Sequence, residues 1–205
     1  MDSAFPIAPD MVDVAFDLAA TTLPRDFEWP LFRALAAIAP WLQGAPGAGI
    51  HPLHACRADD GSYLVPRRAK LVLRLPRDRL CAASALEDAA LDLGAGRAAR
   101  LGKAAVRMLE PAPTVYSPRV VTGDADEIAF SRRVAQELDL LGIRRPLVCG
   151  KRSVVAVDGL ETAAFSVAVH GLGEDASLLL QSAGVGRARA IGCGLFVPHK
   201  TIHAD

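Results

Sequence analysis

Met11-Val12-Asp13-Val14-Ala15-Phe16-Asp17-Leu18 sets apolar residues against acidic or small ones with a period of two, the spacing of a strand that buries one face. Beyond Leu18 the period changes. Residues 29–42 carry Leu31, Ala34, Leu35, Ile38, Trp41 and Leu42 at helical spacing behind Pro30, so an amphipathic helix succeeds the strand. Past an irregular Gly/Pro/His segment at 44–60, strands are expected at 61–66 and 69–75, and a short helix at 77–85. A small hairpin is expected at 90–101 around Gly94-Ala95-Gly96, then a strand at 104–109. The first half therefore reads β-α-β-β-α-β.

The second half repeats that order. Pro111-Ala112-Pro113 reads as a short linker. Beyond it a strand is expected at 114–121 and a helix at 125–141, with Ile128, Val134, Leu138 and Leu141 on one side. A hairpin at 151–157 and 162–169 turns on Asp158-Gly159; a helix at 174–181 and a last strand at 193–197 complete the series. The fold class is α+β, two tandem ferredoxin-like (RRM-like) βαββαβ domains, with the boundary placing residues 1–110 in one and 111–205 in the other.

The bulk composition narrows the function. With 51% hydrophobic and 22% charged residues, the 205-residue chain has ample apolar matter for a core. No run reaches the roughly 18 apolar residues of a membrane span, and the start at Met1 lacks a basic n-region. A cytoplasmic protein without a membrane partner is expected. Cys56, Cys81, Cys149 and Cys193 stand far apart with no C-x-x-C pair, which fits thiols in a reducing compartment better than a disulfide framework. The formal net charge is zero, unlike a simple polyanion binder, yet the charges are segregated. Residues 57–79 hold seven basic residues against three acidic ones, whereas 2–28 hold six acidic residues and Arg25 alone. Because only 5% of residues are aromatic, binding through a basic groove is favoured over base stacking on a sheet face.

One motif joins bare backbone to guanidinium: Gly184-Val185-Gly186-Arg187-Ala188-Arg189-Ala190-Ile191-Gly192-Cys193-Gly194, running into Leu195-Phe196-Val197-Pro198. Glycine lets a backbone approach a ligand closely and arginine forks onto phosphate oxygens, so the run reads as an RNA or nucleotide contact loop. It follows a helix and enters a strand, the reverse of a dinucleotide fingerprint, and no Gly-Lys-Ser/Thr completes a P-loop. The alternative is structural, with Gly184 and Gly186 capping the helix and Gly192 and Gly194 permitting a bulge.

This run, together with Gly49-Ile50-His51-Pro52-Leu53, resembles the RAMP-superfamily endoribonucleases that process CRISPR repeats, in particular the MYXAN-like subtype, over roughly residues 11–200. The resemblance implies CRISPR repeat RNA (precursor crRNA) as substrate and the subunits of an interference complex as further partners. It also implies that Gly184, Gly186, Arg187, Arg189, Gly192 and Gly194 contact RNA, with Lys200 near them. RNA cuts itself when a 2′-hydroxyl attacks the adjacent phosphorus; histidine suits the proton transfers and arginine or lysine the charge, so no cofactor is expected. The resembling nucleases keep a catalytic histidine in the region of His51. The alternative is a histidine that hydrogen-bonds within its loop, and His54 is a second candidate base. Tyr63 and Lys70 are candidates for a further catalytic group, and Arg67 and Arg68 for RNA contacts on the same strands. His51-x-x-His54-x-Cys56 and Cys193-x5-His199-x3-His203 offer ligand types without a Cys-x2-4-Cys knuckle, so no metal site is expected. Two other readings stay open: a non-catalytic RNA-binding or assembly subunit, and a protein that binds a small phosphorylated ligand through the glycine loop.

Overall fold

The computed structural model describes residues 10–53, 55–59, 61–94, 96–157 and 159–199. By its contacts the chain divides into two units, Met11–Met108 with Ala190–Gly192, and Leu109–Arg189 with residues 193–199.

The first unit contains β1 (Met11–Ala19), β2 (Thr22–Leu23), α1 (Glu28–Ile38), β3 (Gly49–Ile50), β4 (Cys56–Arg57), β5 (Tyr63–Leu64), β6 (Lys70–Pro76), α2 (Leu80–Ala83), β7 (Ala90–Asp92) and β8 (Ala98–Met108). Its main sheet runs β3-β6-β1-β8-β7, all pairs antiparallel. Alternation divides β1 cleanly. Val12, Val14, Phe16 and Leu18 join Leu71, Leu73 and Leu75 of β6 in a core closed by Leu31 and Leu35 of α1. The other set, Asp13, Ala15 and Asp17, stands opposite Arg74, Val72 and Lys70.

Three expectations change here. Residues 61–66 supply only β5, which pairs with β2 and β4 in a separate three-stranded sheet. The strand beside β6 is instead β3, inside the segment read as irregular, because Pro46 and Pro52 leave too short a run to show alternation. The long helix stops at Ile38, with Ala39 at ψ 74 and a 3-10 turn over Pro40–Gln43, since a residue before proline avoids helical ψ and proline lacks the N–H. The expected hairpin forms from β7 and β8, but its second arm and the strand expected after it are one continuous element, β8.

The second unit contains β9 (Thr114–Val120), α3 (Glu127–Leu140), β10 (Leu147–Val157), β11 (Leu160–His170), α4 (Glu174–Ala183) and β12 (Val197–Pro198), with sheet order β10-β11-β9-β12. Asp126 caps α3 by accepting from the Ala129 N–H at 2.9 Å. The buried stripe of α3 is Phe130, Val134 and Leu138. Ile128, expected on that side, is 62% exposed because the stripe advances by four from Phe130. The last strand shrinks to Val197–Pro198; residues 193–196 are buried but irregular, since Gly192 and Gly194 adopt φ 83 and 70 and interrupt the extended run.

Both units place the first and third strands of a βαββαβ series side by side in the sheet, the second strand outside the third and the fourth outside the first. They are two ferredoxin-like folds. Among the described residues no helix is long and apolar enough to cross a membrane.

Candidate active site

His51 comes directly after β3, and its main-chain N–H donates to the Val72 carbonyl at 2.9 Å, extending the β3–β6 ladder by one bond before Pro52. Ile50 is buried in the core, so alternation turns His51 to the opposite face, the one that carries Asp13 and Arg74. There its Nε2 meets Asp13 Oδ1 at 3.1 Å. The same carboxylate is forked by Arg74, with Nε donating to Oδ1 at 2.8 Å and Nη2 to Oδ2 at 2.9 Å, the bidentate geometry that only arginine offers. Arg74 is fully buried, while the His51 and Asp13 side chains are 13% and 16% exposed. Burial alone would push the Asp13 carboxyl up, but the hydrogen bonds from His51 and Arg74 outweigh it and hold it well below the usual carboxylate range.

Neither Asp13 nor Arg74 stands out on motif grounds. The available signal is the arginine inside Leu71-Val72-Leu73-Arg74-Leu75, since a charge within a buried strand requires a partner. Its partner is fixed only by the register of β1 against β6.

The other candidates have other surroundings. Lys70 lies four residues along β6 from Arg74, roughly 13 Å at strand rise, and its ammonium is paired with Asp17. Tyr63 packs against the core with its ring edge-on to Phe27, centroids 5.5 Å apart. Arg67 and Arg68, expected on a strand, are exposed in a turn closed by the Ala69 N–H on the Pro66 carbonyl at 2.9 Å; Arg68 therefore shares no strand face with Lys70. His54 and Lys200 lie outside the described residues. Among the described residues no three His, Cys, Asp or Glu side chains gather as a metal site.

The glycine run packs on itself. Gly184 ends α4 at φ 59, its N–H donating to the Leu180 carbonyl at 2.8 Å. A Cβ there would stand 2.3 Å from the Gly194 carbonyl oxygen, and one on Gly194 would stand 2.2 Å from that of Val185. Gly186 donates its N–H to Glu137 Oε2 at 2.7 Å, and Gly184, Gly192 and Gly194 are all buried. Close approach is thus needed, but between two stretches of the loop's own backbone. The arginines differ as well. Arg187 is exposed, whereas Arg189 is half-buried, with Nη1 donating to the Ser182 carbonyl at 3.4 Å and the guanidinium lying against Gly184.

The Cas6 Crispr family model matches residues 12–201. The chain is 32% identical over 188 residues to the CRISPR-associated endonuclease Cas6 of Myxococcus xanthus (strain DK1622), covering 91% of this chain and 81% of the relative. Among solved structures it superposes on a CRISPR associated protein Cas6 with TM-score 0.65 at 12% identity, over 93% of this chain and 100% of that one. A structure described as a RAMP protein binding different RNA substrates gives 0.62 at 14%, over 92% and 100%. At such identity the structural likenesses establish the shared fold, while the family match and the Myxococcus relative establish kinship. The chain belongs to the Cas6 family.

Proposed function

We propose that the chain is an endoribonuclease that cuts CRISPR precursor transcripts within each repeat, without a metal ion. One observation carries the reading: in a chain of the Cas6 family, an imidazole at the end of β3 is held by a carboxylate that two neighbours keep ionised. In the reaction a ribose 2′-hydroxyl attacks its own 3′-phosphate and gives its proton to a base, and the departing 5′-oxygen takes a proton from an acid. The products are a 5′-hydroxyl and a 2′,3′-cyclic phosphate, which water can open to a 3′-phosphate. His51 performs one of the two transfers, a contribution of typically 10²- to 10⁴-fold. The exposed Arg67, Arg68 and Arg187 supply charge for the phosphates. The transcripts place the enzyme in the cytoplasm, and a product held after cutting would be handed to an interference complex.

The test is cleavage of end-labelled repeat RNA in excess EDTA. Wild-type protein is expected to make one cut and His51→Ala to bind without cutting. Binding without cutting by both would leave an RNA-binding assembly subunit, and cutting that returns only with added metal would overturn the metal-free chemistry. In the same system Arg187→Ala is expected to weaken binding and to lower the salt slope by about one; an unchanged slope removes Arg187 from the interface.

A further inference from the structure

We infer that Asp13, clamped by Arg74, is a positioning residue that holds His51 with Nε2 protonated and so makes Nδ1 the nitrogen that exchanges a proton with the RNA. The inference rests on the nuclease reading and adds to it which ring atom reacts and what aims it.

The donor–acceptor inventory forces the tautomer. Arginine has donors only, so both Asp13 oxygens, each reached by Arg74 at 2.8 or 2.9 Å, act as acceptors. Oδ1 is the atom that His51 Nε2 reaches at 3.1 Å. An ionised carboxylate has no proton to give, so the hydrogen in that contact sits on Nε2. In the neutral ring the lone pair is then on Nδ1, because the hydrogen bond made by one ring nitrogen decides the state of the other. Nδ1 is left to take the proton of a 2′-hydroxyl or, once protonated, to give one to the leaving 5′-oxygen.

Three strands fix the aim. Asp13 and Arg74 are direct cross-strand partners on β1 and β6, and the His51 main chain is tied to β6 through the Val72 carbonyl. The imidazole, one residue past β3, is therefore held by a backbone bond to β6 and by a carboxylate on β1 whose two oxygens are both engaged. Asp13 stays ionised under any condition in which RNA is cut near neutrality, so it acts through His51 and carries no proton itself. A carboxylate in this role orients an imidazole and selects its tautomer.

The experiment combines a spectrum with a rate. Nitrogen-15 NMR of histidine-labelled protein, with the His51 signals assigned by their loss in His51→Ala, reads the tautomer of the neutral ring directly. The wild-type chain is expected to show the Nε2–H form, and the Nδ1–H form would overturn the inference whatever the variants do. Asp13→Leu with Arg74→Met removes both buried charges together, which preserves the fold better than removing either alone, and folding is checked by circular dichroism. In that variant the NMR is expected to show mixed tautomers. Single-turnover cutting is expected to fall roughly 10²- to 10⁴-fold, the range that acid–base groups supply, with affinity for uncut RNA unchanged. A folded double variant that cuts at the wild-type rate while His51→Ala does not would overturn the positioning role and leave the nuclease reading standing. A wild-type chain that cuts no repeat RNA would overturn the nuclease reading and this inference with it.

Discussion

The same two strands carry two acid–base pairs in the same register, Asp13 opposite Arg74 and Asp17 opposite Lys70, and the two are physically unlike. In the first, the Arg74 side chain is 1% exposed and Asp13 16%; in the second, Lys70 is 42% exposed and Asp17 61%. Out of water the charges attract strongly, their geometry is fixed, and a third group, His51, can be aimed by them. In water the attraction is screened and two exposed side chains gain little by meeting. Depth in the sheet, together with the arginine fork, therefore marks which end of this face is a candidate site.

The hardest way to break the comparison is to remove Arg74 alone. Arg74→Met leaves the Asp13 carboxylate in its half-buried position with one neighbour instead of two. Breaking a buried pair typically costs about 3–5 kcal/mol. Urea unfolding is expected to show a lower midpoint with an unchanged slope. A loss under ~1 kcal/mol, the range of surface pairs, would mean that the Asp13–Arg74 pair is energetically no different from Asp17–Lys70.

The contrast also explains what could be read from residues alone. The second unit was largely legible, because β9, α3 and the β10–β11 hairpin each run long enough to show their period, although α3 starts two residues later than expected, behind its Asp126 cap. The first unit was legible in order but not in pairing. β3 is two residues between prolines, so residues 61–66, which look more like a strand, drew the assignment that β3 fills. His51 could be singled out because the resembling nucleases keep a histidine in that Gly/Pro-rich region, but its partners could not, since Asp13, Arg74 and His51 meet only through register and are separated by tens of residues. Lys70 was a candidate because it lies on an expected strand near the His51 segment, yet its depth, which sets its role, is not written in its neighbours. In the glycine run the pattern was plain and its cause was not: a glycine that lets a ligand approach and one that lets the chain approach itself look alike until the Gly184 and Gly194 backbones are seen to face each other.

Acid sharpens the comparison without a change in the wild-type chain. The Asp13 carboxyl is held well below its usual range in the folded protein, because the His51 and Arg74 hydrogen bonds outweigh the burial that would raise it. A carboxyl depressed in this way contributes stability that is fully present above its unfolded value, near ~3.9. That contribution is lost as pH falls below this value toward the folded one. Wild-type stability is expected to drop below pH ~4 more steeply than that of Asp13→Leu with Arg74→Met, which has no such group. Parallel curves from urea unfolding across that range would mean that Asp13 is not held ionised by its neighbours.

The smallest effect is expected at the wet pair, and its smallness is the point. Asp17→Asn removes the carboxylate charge that faces Lys70 while keeping the side-chain volume. It is expected to cost at most about 1 kcal/mol, less still as salt is added, with repeat RNA cut at the wild-type rate. Lys70 would gain freedom in this variant, so a faster or slower cut would mean that its ammonium reaches the reacting phosphate and that Asp17 had been restraining it. A stability loss as large as that of Arg74→Met would mean instead that solvent does not screen this end of the sheet. Either result would replace depth with position along β6 as the property that separates the two pairs.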